Sequence, residues 1–450
     1  MLETLKDKLP AAAALQDTIA NLDACFLHGF VGGQYEILAA LPQIFAGAPL
    51  QARIEECVQS LAQNNFNESH FVTLAAVRGA LQGALYDALR QQALSALGRA
   101  ASDPVPEIPT LPTQTDPLLD SARHWLMELA MTGFARLEPG TIASFAPTLA
   151  QLRANPATTQ QAALLTGLLH ELMNALPAPS IDRIPLLRWC DLWSNAMLGA
   201  VGIADAPEAI PVSGIFYPLG VELRGHTRMA SMTVHGLLLV DDEPRWVRQS
   251  WSAFKATAIQ GDEIWLLFPE AQMLLGHLLQ NKTIRLQDMP MLPSGDLLWN
   301  IDRVESGKKF KPLNITLEYA GIGQPLAASP VPALERHPVQ LAEPLSLTEY
   351  RLENDCLHFN DGTVLPLDTR RNGLTAESLE ATTTLFGLLR YDDGAWSVQP
   401  LTAGNAIGKF EFVGQAGAEL LKKPPKTNTV SILQERASRL LRKSKASQSS

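Results

Sequence analysis

His124 and Glu128 stand one helical turn apart, so both side chains can reach one ion, with His170 or Glu171 from a neighbouring helix completing the set. The competing reading is an exposed ion pair beside an apolar stripe. His170-Glu171 opens like a zinc-peptidase helix, but Asn174 takes the place of the second histidine, so that face offers one imidazole only. Ser306-Gly307-Lys308-Lys309 has the close of a phosphate-binding loop. Asp302 stands where its first glycine belongs, however, and Lys309 where the magnesium-binding hydroxyl would be, which leaves a lysine-rich turn. Cys190 has Arg188 nearby, as a thiolate nucleophile would want, yet it falls on an apolar helical stripe with Trp189 and Trp193, where a thiol is core packing. Cys356 and His358 alternate along one expected strand and face the same way, a bare nucleophile–base pairing. No serine occupies a GxSxG frame, and Gly29, Gly32, Gly33, Gly321 and Gly323 do not make GxGxxG. The common catalytic spacings fail, and no cofactor is implied.

Binding is better represented than catalysis. Arg245, Trp246, Arg248, Trp251, Phe254 and Lys255, followed later by Lys308, Lys309, Phe310 and Lys311, interleave cations with aromatic rings as a single-strand nucleic-acid platform requires. Asp241, Asp242 and Glu243 oppose that reading, and an edge strand with a tryptophan turned inward produces the same pattern. From position 422 onward eight Lys/Arg face one acid, so this tail carries +7 and leaves −17 on the rest of a chain whose net charge is −10. Its stripe Val430, Leu433, Ala437, Leu440 and Leu441, with Arg436, Arg439, Arg442 and Lys443 around it, is either a docking helix for an acidic protein or a solvated end. The acidic body argues against nucleic acid and anionic lipid as partners.

These residues sit on a chain of 450, too long for one small core; 46% is hydrophobic and 18% charged, which excludes extended disorder, collagen and a disulfide-stapled mini-protein. The four cysteines are far apart with no CxxC pair, which fits a reducing compartment. The first residues make a poor secretory signal, and the longest uncharged stretch, 37–52, is broken by Pro42 and Pro49, so no membrane span is expected and the cytoplasm is the default location.

The period of the apolar residues divides the chain. Up to about 205 it is helical. Ser69 can cap a helix with Leu74, Val77, Leu81, Leu85 and Ala88 inward and Arg78, Gln82, Asp87 and Arg90 outward, ending at Gly98. Asp116-Pro117 starts another with Leu118, Ala122, Trp125, Leu126 and Leu129 inward. Thr158 with Gln161 has capping-box spacing, and the stripe Leu186, Trp189, Cys190, Trp193, Met197 marks a further helix. After about 211 the period is two: strands are expected at 219–223, 230–240, 245–254, 283–287 and 313–319, with a helix at 270–280. Asn360-Asp361-Gly362 and Asp392-Asp393-Gly394 mark hairpins near the end. The expected organisation is a helical domain (1–100), a proline-rich linker (101–117), a second helical domain (118–205) and an antiparallel β module with a helical insert (211–322). A second linker (325–344), a small barrel-like β module of OB or SH3 type (345–415) and the basic tail (422–450) complete it. No internal repeat marks a solenoid.

Leu186-Leu-Arg-Trp-Cys-Asp-Leu-Trp193, Gly220-Val-Glu-Leu-Arg224 running on to Val234-His-Gly-Leu237, and Met291-Leu-Pro-Ser-Gly-Asp-Leu-Leu-Trp299 together resemble bacterial proteins that accompany MoxR-type AAA+ ATPases and von Willebrand factor A-domain (VWA) proteins. The resemblance covers the middle third of the chain and contains no chemical motif. It implies an adaptor serving a chaperone-like ATPase, with an AAA+ ATPase and a VWA-domain protein as partners.

Overall fold

In the computed structural model the described residues are 2–7, 9–31, 36–99, 115–176, 180–203, 207–226, 228–326, 331–368, 370–405 and 410–448, with side chains to 439. The linker expected at 101–117 lies outside them except for its last residues. The N-terminal half is helical: α1 (Pro10–His28), α2 (Glu36–Ile44), α3 (Gln51–Ala62), α4 (Glu68–Ala96), α5 (Pro117–Thr132), α6 (Pro139–Ala143), α7 (Ala146–Ala154), α8 (Thr159–Ala175) and α9 (Leu186–Gly199). The cap of α4 is Asn67 rather than Ser69, because its side chain accepts from the His70 amide at 3.2 Å while His70 Nδ1 accepts from the Asn67 amide at 3.4 Å. Asp116 caps α5 as expected, accepting from the Leu118 amide at 2.8 Å. Thr158 precedes α8, but its hydroxyl turns back to the Leu152 carbonyl and Gln161 reaches the Gly202 carbonyl, so no capping box forms.

The outward face expected on α4 is also corrected. Arg78 and Gln82 are buried, because α4 is packed among α1, α3, α5 and α9. Two halves of this bundle share an order: a first helix, a Gly-Phe step (Gly29-Phe30 and Gly133-Phe134), short helices, then a core helix. The two steps abut. Gly29 has φ +85° and Gly133 φ +87°, and a Cβ on either would lie 2.5 Å from backbone atoms of the other run.

From Ile210 onward antiparallel sheets take over. β1 (Ile210–Gly225), β2 (Met229–Val240), β3 (Glu243–Phe254), β4 (Lys282–Met291) and β5 (Val304–Lys309) form a five-stranded sheet in the order β3-β2-β1-β4-β5, with α10 (Gln272–Leu279) as the helical insert. Residues 306–309, read as a turn, are the edge strand β5. Residues 313–319, read as a strand, are α11 (Pro312–Ala320). Proline at its first position sets a helical φ, and the residues it buries are Pro312, Thr316 and Ala320, four apart. The chain closes with β6 (Glu343–Thr348), β7 (Arg351–Glu353), β8 (Cys356–His358), β9 (Val364–Pro366), α12 (Ala376–Leu379), β10 (Thr384–Asp392), β11 (Ala395–Gly404), β12 (Phe410–Phe412), α13 (Gln415–Lys422) and α14 (Thr429–Gln448). These strands make a four-stranded sheet, β12-β11-β10-β6, and a three-stranded sheet, β7-β8-β9. Neither closes on itself among the described residues, so the barrel-like module is not seen.

Three apolar cores hold the parts. One joins the helices to the four-stranded and three-stranded sheets, through residues such as Phe26, Trp193, Leu345 and Leu389. A second lies under the five-stranded sheet against α10 and α13. A third, with Leu219, Leu237, Phe386 and Leu401, sits between the two larger sheets. The segment 325–344, read as a linker, is packed where it is described. Residues 331–343 form a strap whose polar groups meet four elements: Arg336 pairs with Asp87 of α4, His337 with Asp191 of α9 and Glu335 with Arg248 of β3. Gln340 meets Arg224 of β1, and Glu343 pairs with Arg90 of α4. Two 3-10 turns, Ala333–Glu335 and Pro338–Gln340, the second opened by a proline, shape this strap, which is packed rather than a free spacer.

Candidate functional site

The metal set nominated from spacing does not assemble. His124 is half-exposed on α5, with Nδ1 3.6 Å from Glu68 Oε1 and Nε2 3.5 Å from Glu128 Oε1, an ion-pair arrangement on the surface. His170 on α8 is elsewhere; burial, then Arg228 and Arg153, lower its pKa, and cations beside an imidazole are the wrong field for a metal. Among the described residues no group of three His, Cys, Asp or Glu could hold an ion. Cys190 is fully buried, and burial drives its thiol well above the ordinary range, the reverse of an activated nucleophile. Cys356 and His358 lie on β8 in register with Pro366 and Val364.

The nucleic-acid residues fall into two places. Arg245, Arg248 and Trp251 are on β3 and Lys308 and Lys309 on β5, the opposite edges of the five-stranded sheet, with Lys311 just beyond. At about 4.8 Å per strand spacing the edges are roughly 19 Å apart. Arg248 is committed to Asp296 by a bidentate pair of 2.6 and 2.9 Å, and Trp251 packs against the second core. The cation–aromatic interleaving is an edge-strand pattern at both places.

What the fold brings together is different, and local spacing could not have found it. In the helical half Arg78, 2% exposed, donates from Nε to Asp23 Oδ1 at 2.7 Å, from Nη2 to Asp23 Oδ2 at 3.0 Å and from Nη1 to Asp191 Oδ1 at 2.6 Å. His337 Nε2 closes the chain 3.2 Å from the same Asp191 oxygen. Between the two larger sheets Arg390, wholly buried, donates to Glu222 Oε1 at 2.8 Å, Gln399 Oε1 at 3.0 Å and the Leu341 carbonyl at 3.2 Å. Arg224 Nε reaches the same Glu222 oxygen at 2.8 Å, and His235 Nε2 lies 3.6 Å from the other. Burial pushes Glu222 up, but Arg390, His235 and Arg224 outweigh it and hold the carboxyl far below its usual range. Burial lowers His235, with Glu222 opposing, and it lowers Arg390 to about 10. The imidazole lies against Trp246, ring centroids 6.1 Å apart.

In both clusters the arginine is spent on groups from other elements, so they are clamps between elements, although both ring nitrogens of His235 lack a hydrogen-bond partner among the described residues. A groove of about 600 Å3 lies elsewhere, between the loop before α12, α13 and the turn at 261–267. Among the residues that line it are Trp265, Leu374, Phe412, Asp262, Glu411 and Glu419. Beside it stands α14. Asn428 caps this helix, accepting from the Ser431 amide at 2.8 Å, and Glu263 accepts from the Thr429 amide at 3.0 Å; the Thr429 side chain and then its amide lower the Glu263 pKa. Val430 is buried at its root and Leu433 half-buried, while residues 434–439, including Arg436 and Arg439, are exposed. The side chains of Leu440 and Arg442 lie outside the described residues. No helix among the described residues is long and apolar enough to cross a membrane. Compared with protein-family models, curated proteins and solved structures, the chain matches none of them.

Proposed function

We propose that this chain is a non-catalytic interaction protein that docks on an acidic protein surface through α14. The observation that carries the reading is the geometry of that helix. Its first turn is capped and rooted in the body, and the exposed turns that follow carry Arg436 and Arg439 into solvent. A helix held at one end is already oriented, so a partner has less ordering cost to overcome than with a disordered tail. The sequence continues the basic and apolar pattern through Leu440, Arg442, Lys443 and Lys445. The large ionisable groups in the interior support the same reading, since Arg78 and Arg390 are spent on holding elements together.

The resemblance to proteins accompanying MoxR-type ATPases makes an AAA+ ATPase, with its VWA-domain companion, the first partner to test. The four free cysteines, three of them buried, favour the reducing cytoplasm as the place of action. Affinity capture with the full chain, with a chain ending at Lys422 and with the Arg436→Glu/Arg439→Glu variant tests the proposal. The full chain should retain a ring ATPase or VWA protein that both others lose. Equal capture by all three, or turnover of a nucleotide, ester or peptide by the purified chain, would overturn it.

A further inference from the structure

The five-stranded sheet has two edges, and the sequence treats them differently. The β5 edge is six residues long and carries Glu305, Lys308 and Lys309, charges of the kind that keep a second chain from pairing. The β3 edge is twelve residues long, and its last part, Ser250 to Phe254, contains no charge and no proline. Its outer main chain is already used once. The Arg248 amide donates to the Gly295 carbonyl at 3.0 Å and the Arg248 carbonyl accepts from the Leu297 amide at 2.8 Å, so residues 295–297 run parallel against it. Pairing with β2 holds one register from Glu243 to Phe254, and antiparallel main-chain groups alternate between the two sides of a strand. Those of Ser250, Ser252 and Phe254 therefore point the same way as those of Arg248. All three residues are exposed, and among the described residues no main-chain group meets them on that side. The Ser250 carbonyl accepts only from its neighbour's side chain, Gln249 Nε2, at 3.0 Å.

Such an edge accepts extended main chain, and the side chains around it select the kind. Phe254 is 69% exposed and lies opposite Met229, 42% exposed, an apolar rung at the end of the edge. On the other face Trp251 and Ala253 are half-buried against the second core. Beside the Phe254 end stands Arg228, exposed, whose carbonyl accepts from the Lys255 amide at 2.9 Å and whose guanidinium has no carboxylate partner among the described residues. Upstream, Arg248 is neutralised by Asp296 and Glu335. The free stretch is thus neutral where it begins and positive where it finishes. A second copy pairing through the same stretch would bring no acid to Arg228, since 249–255 contains none. We infer that β3 takes an extended segment of a different protein as an added strand along Ser250–Phe254, in line with 295–297, with apolar side chains against Phe254 and Trp251 and a carboxylate at Arg228. This surface is separate from α14 and does not rest on it.

The probe is a fluorescein-labelled peptide of about seven residues, alternating valine and threonine and ending in two aspartates, titrated into the full-length chain by fluorescence anisotropy. Amide hydrogen exchange is read alongside by NMR. Binding should slow exchange at Ser250, Ser252 and Phe254, whose amides face outward, and leave Trp251 and Ala253, already bonded to β2, as they were. This alternation is measured on the wild-type chain and decides the matter whatever the variants do. Ser252→Pro removes an outward amide without touching the β2 ladder, so it should melt like wild type and weaken the peptide by about tenfold or more, with Ser252→Ala within about twofold. Arg228→Glu should weaken the aspartate-ended peptide by about fivefold and favour the same peptide ending in two lysines. The Arg436→Glu/Arg439→Glu chain should bind the peptide like wild type, which separates this result from partner capture through α14. No binding at millimolar peptide overturns the inference, as does protection without the alternation or binding indifferent to a folded Ser252→Pro chain. So does a dimer of the chain alone that Ser252→Pro abolishes, which would give the edge to a second copy.

Discussion

Arg78 in the helical half and Arg390 in the sheet half are both buried against carboxylates, and they are neutralised differently. Arg78 has two carboxylates, Asp23 on α1 and Asp191 on α9, and its pKa is held above the ordinary value although burial works against it. Arg390 has one carboxylate, Glu222, which also serves Arg224 and lies beside His235, and its pKa falls to about 10. A guanidinium with two anions is over-supplied, and one sharing a single anion with a second arginine is under-supplied. Among the described residues the sheet junction therefore has no spare anion: without Glu222, Arg390 would have no carboxylate at all.

Removing each arginine tests this. Arg390→Met and Arg78→Met should each cost about 3–5 kcal/mol in urea unfolding, because buried carboxylates are left behind. The clusters should separate in the paired variants. Glu222→Gln/Arg390→Met removes both buried charges and should recover much of the loss, since Arg224 is partly exposed. Asp23→Asn/Arg78→Met should recover less, because Asp191 keeps its charge beside His337 alone. Equal recovery in both pairs would erase the proposed difference.

Acid should divide the halves in the same way. Burial lowers His235, so the unfolded chain takes up its proton first and stability is lost as pH falls below its ordinary 6.5. Glu222 is depressed and adds a second loss below its ordinary 4.5, in the same direction. In the helical cluster the signs oppose. Burial raises Asp23 more than Arg78 lowers it, while His337 and Arg78 overcome burial to lower Asp191. Hydrogen exchange at pH 7 and pH 5, corrected for the intrinsic rate, should show β1, β2 and β10 losing protection while α4 and α9 keep theirs. His235→Gln should remove the component nearer neutrality. Parallel loss in both halves would contradict the assignment of the acid response to this junction.

The contrast also shows what a sequence can and cannot disclose. The Trp189, Cys190, Trp193 stripe, the Asp116-Pro117 helix start, the β2 and β3 ribbon and the Asp392-Asp393-Gly394 turn were all legible, because each is a local pattern of period, cap or turn. The strand expected at 313–319 misled because Leu313, Ile315, Leu317 and Tyr319 alternate, while the helix is set by Pro312 and by burial of small groups at Thr316 and Ala320. Arg78 and Gln82 looked outward because polarity was read as exposure; both are buried, and the partners of Arg78 lie on other helices. The pairing of Arg390 with Glu222 spans 168 positions, and no spacing rule reaches so far. Conversely, His124 with Glu128 and Ser306 through Lys309 attracted notice because they are close in sequence, which is no guide to enclosure.

The helical half has a weak point of another kind, where Gly29 and Gly133 meet. Gly133→Ala puts a methyl 2.5 Å from the Gly29 amide nitrogen and the His28 carbonyl carbon at φ +87°. About 1–3 kcal/mol should be lost to overpacking, with the positive φ adding to it. This loss should be independent of pH, unlike that at the sheet junction, and thermal melts of the variant at pH 7 and pH 5 would show it. Gly140→Ala, with nothing within 4 Å of the new methyl, is the control.

The smallest effect is expected where charges pair in water. His124 lies within 3.6 Å of Glu68 Oε1 and 3.5 Å of Glu128 Oε1, a closer gathering of acids around an imidazole than Glu222 provides for His235, yet the His124 side chain is 58% exposed. Solvent screens each of these contacts, and Arg123 already serves Glu68 at 3.2 Å. His124→Ala should therefore change stability by less than about 0.5 kcal/mol in the same urea titration that registers Arg390→Met. Zinc added to the wild-type chain should leave its melting unchanged. A rise in melting temperature with zinc that His124→Ala abolishes would restore the metal reading and make enclosure the wrong criterion for ranking these clusters.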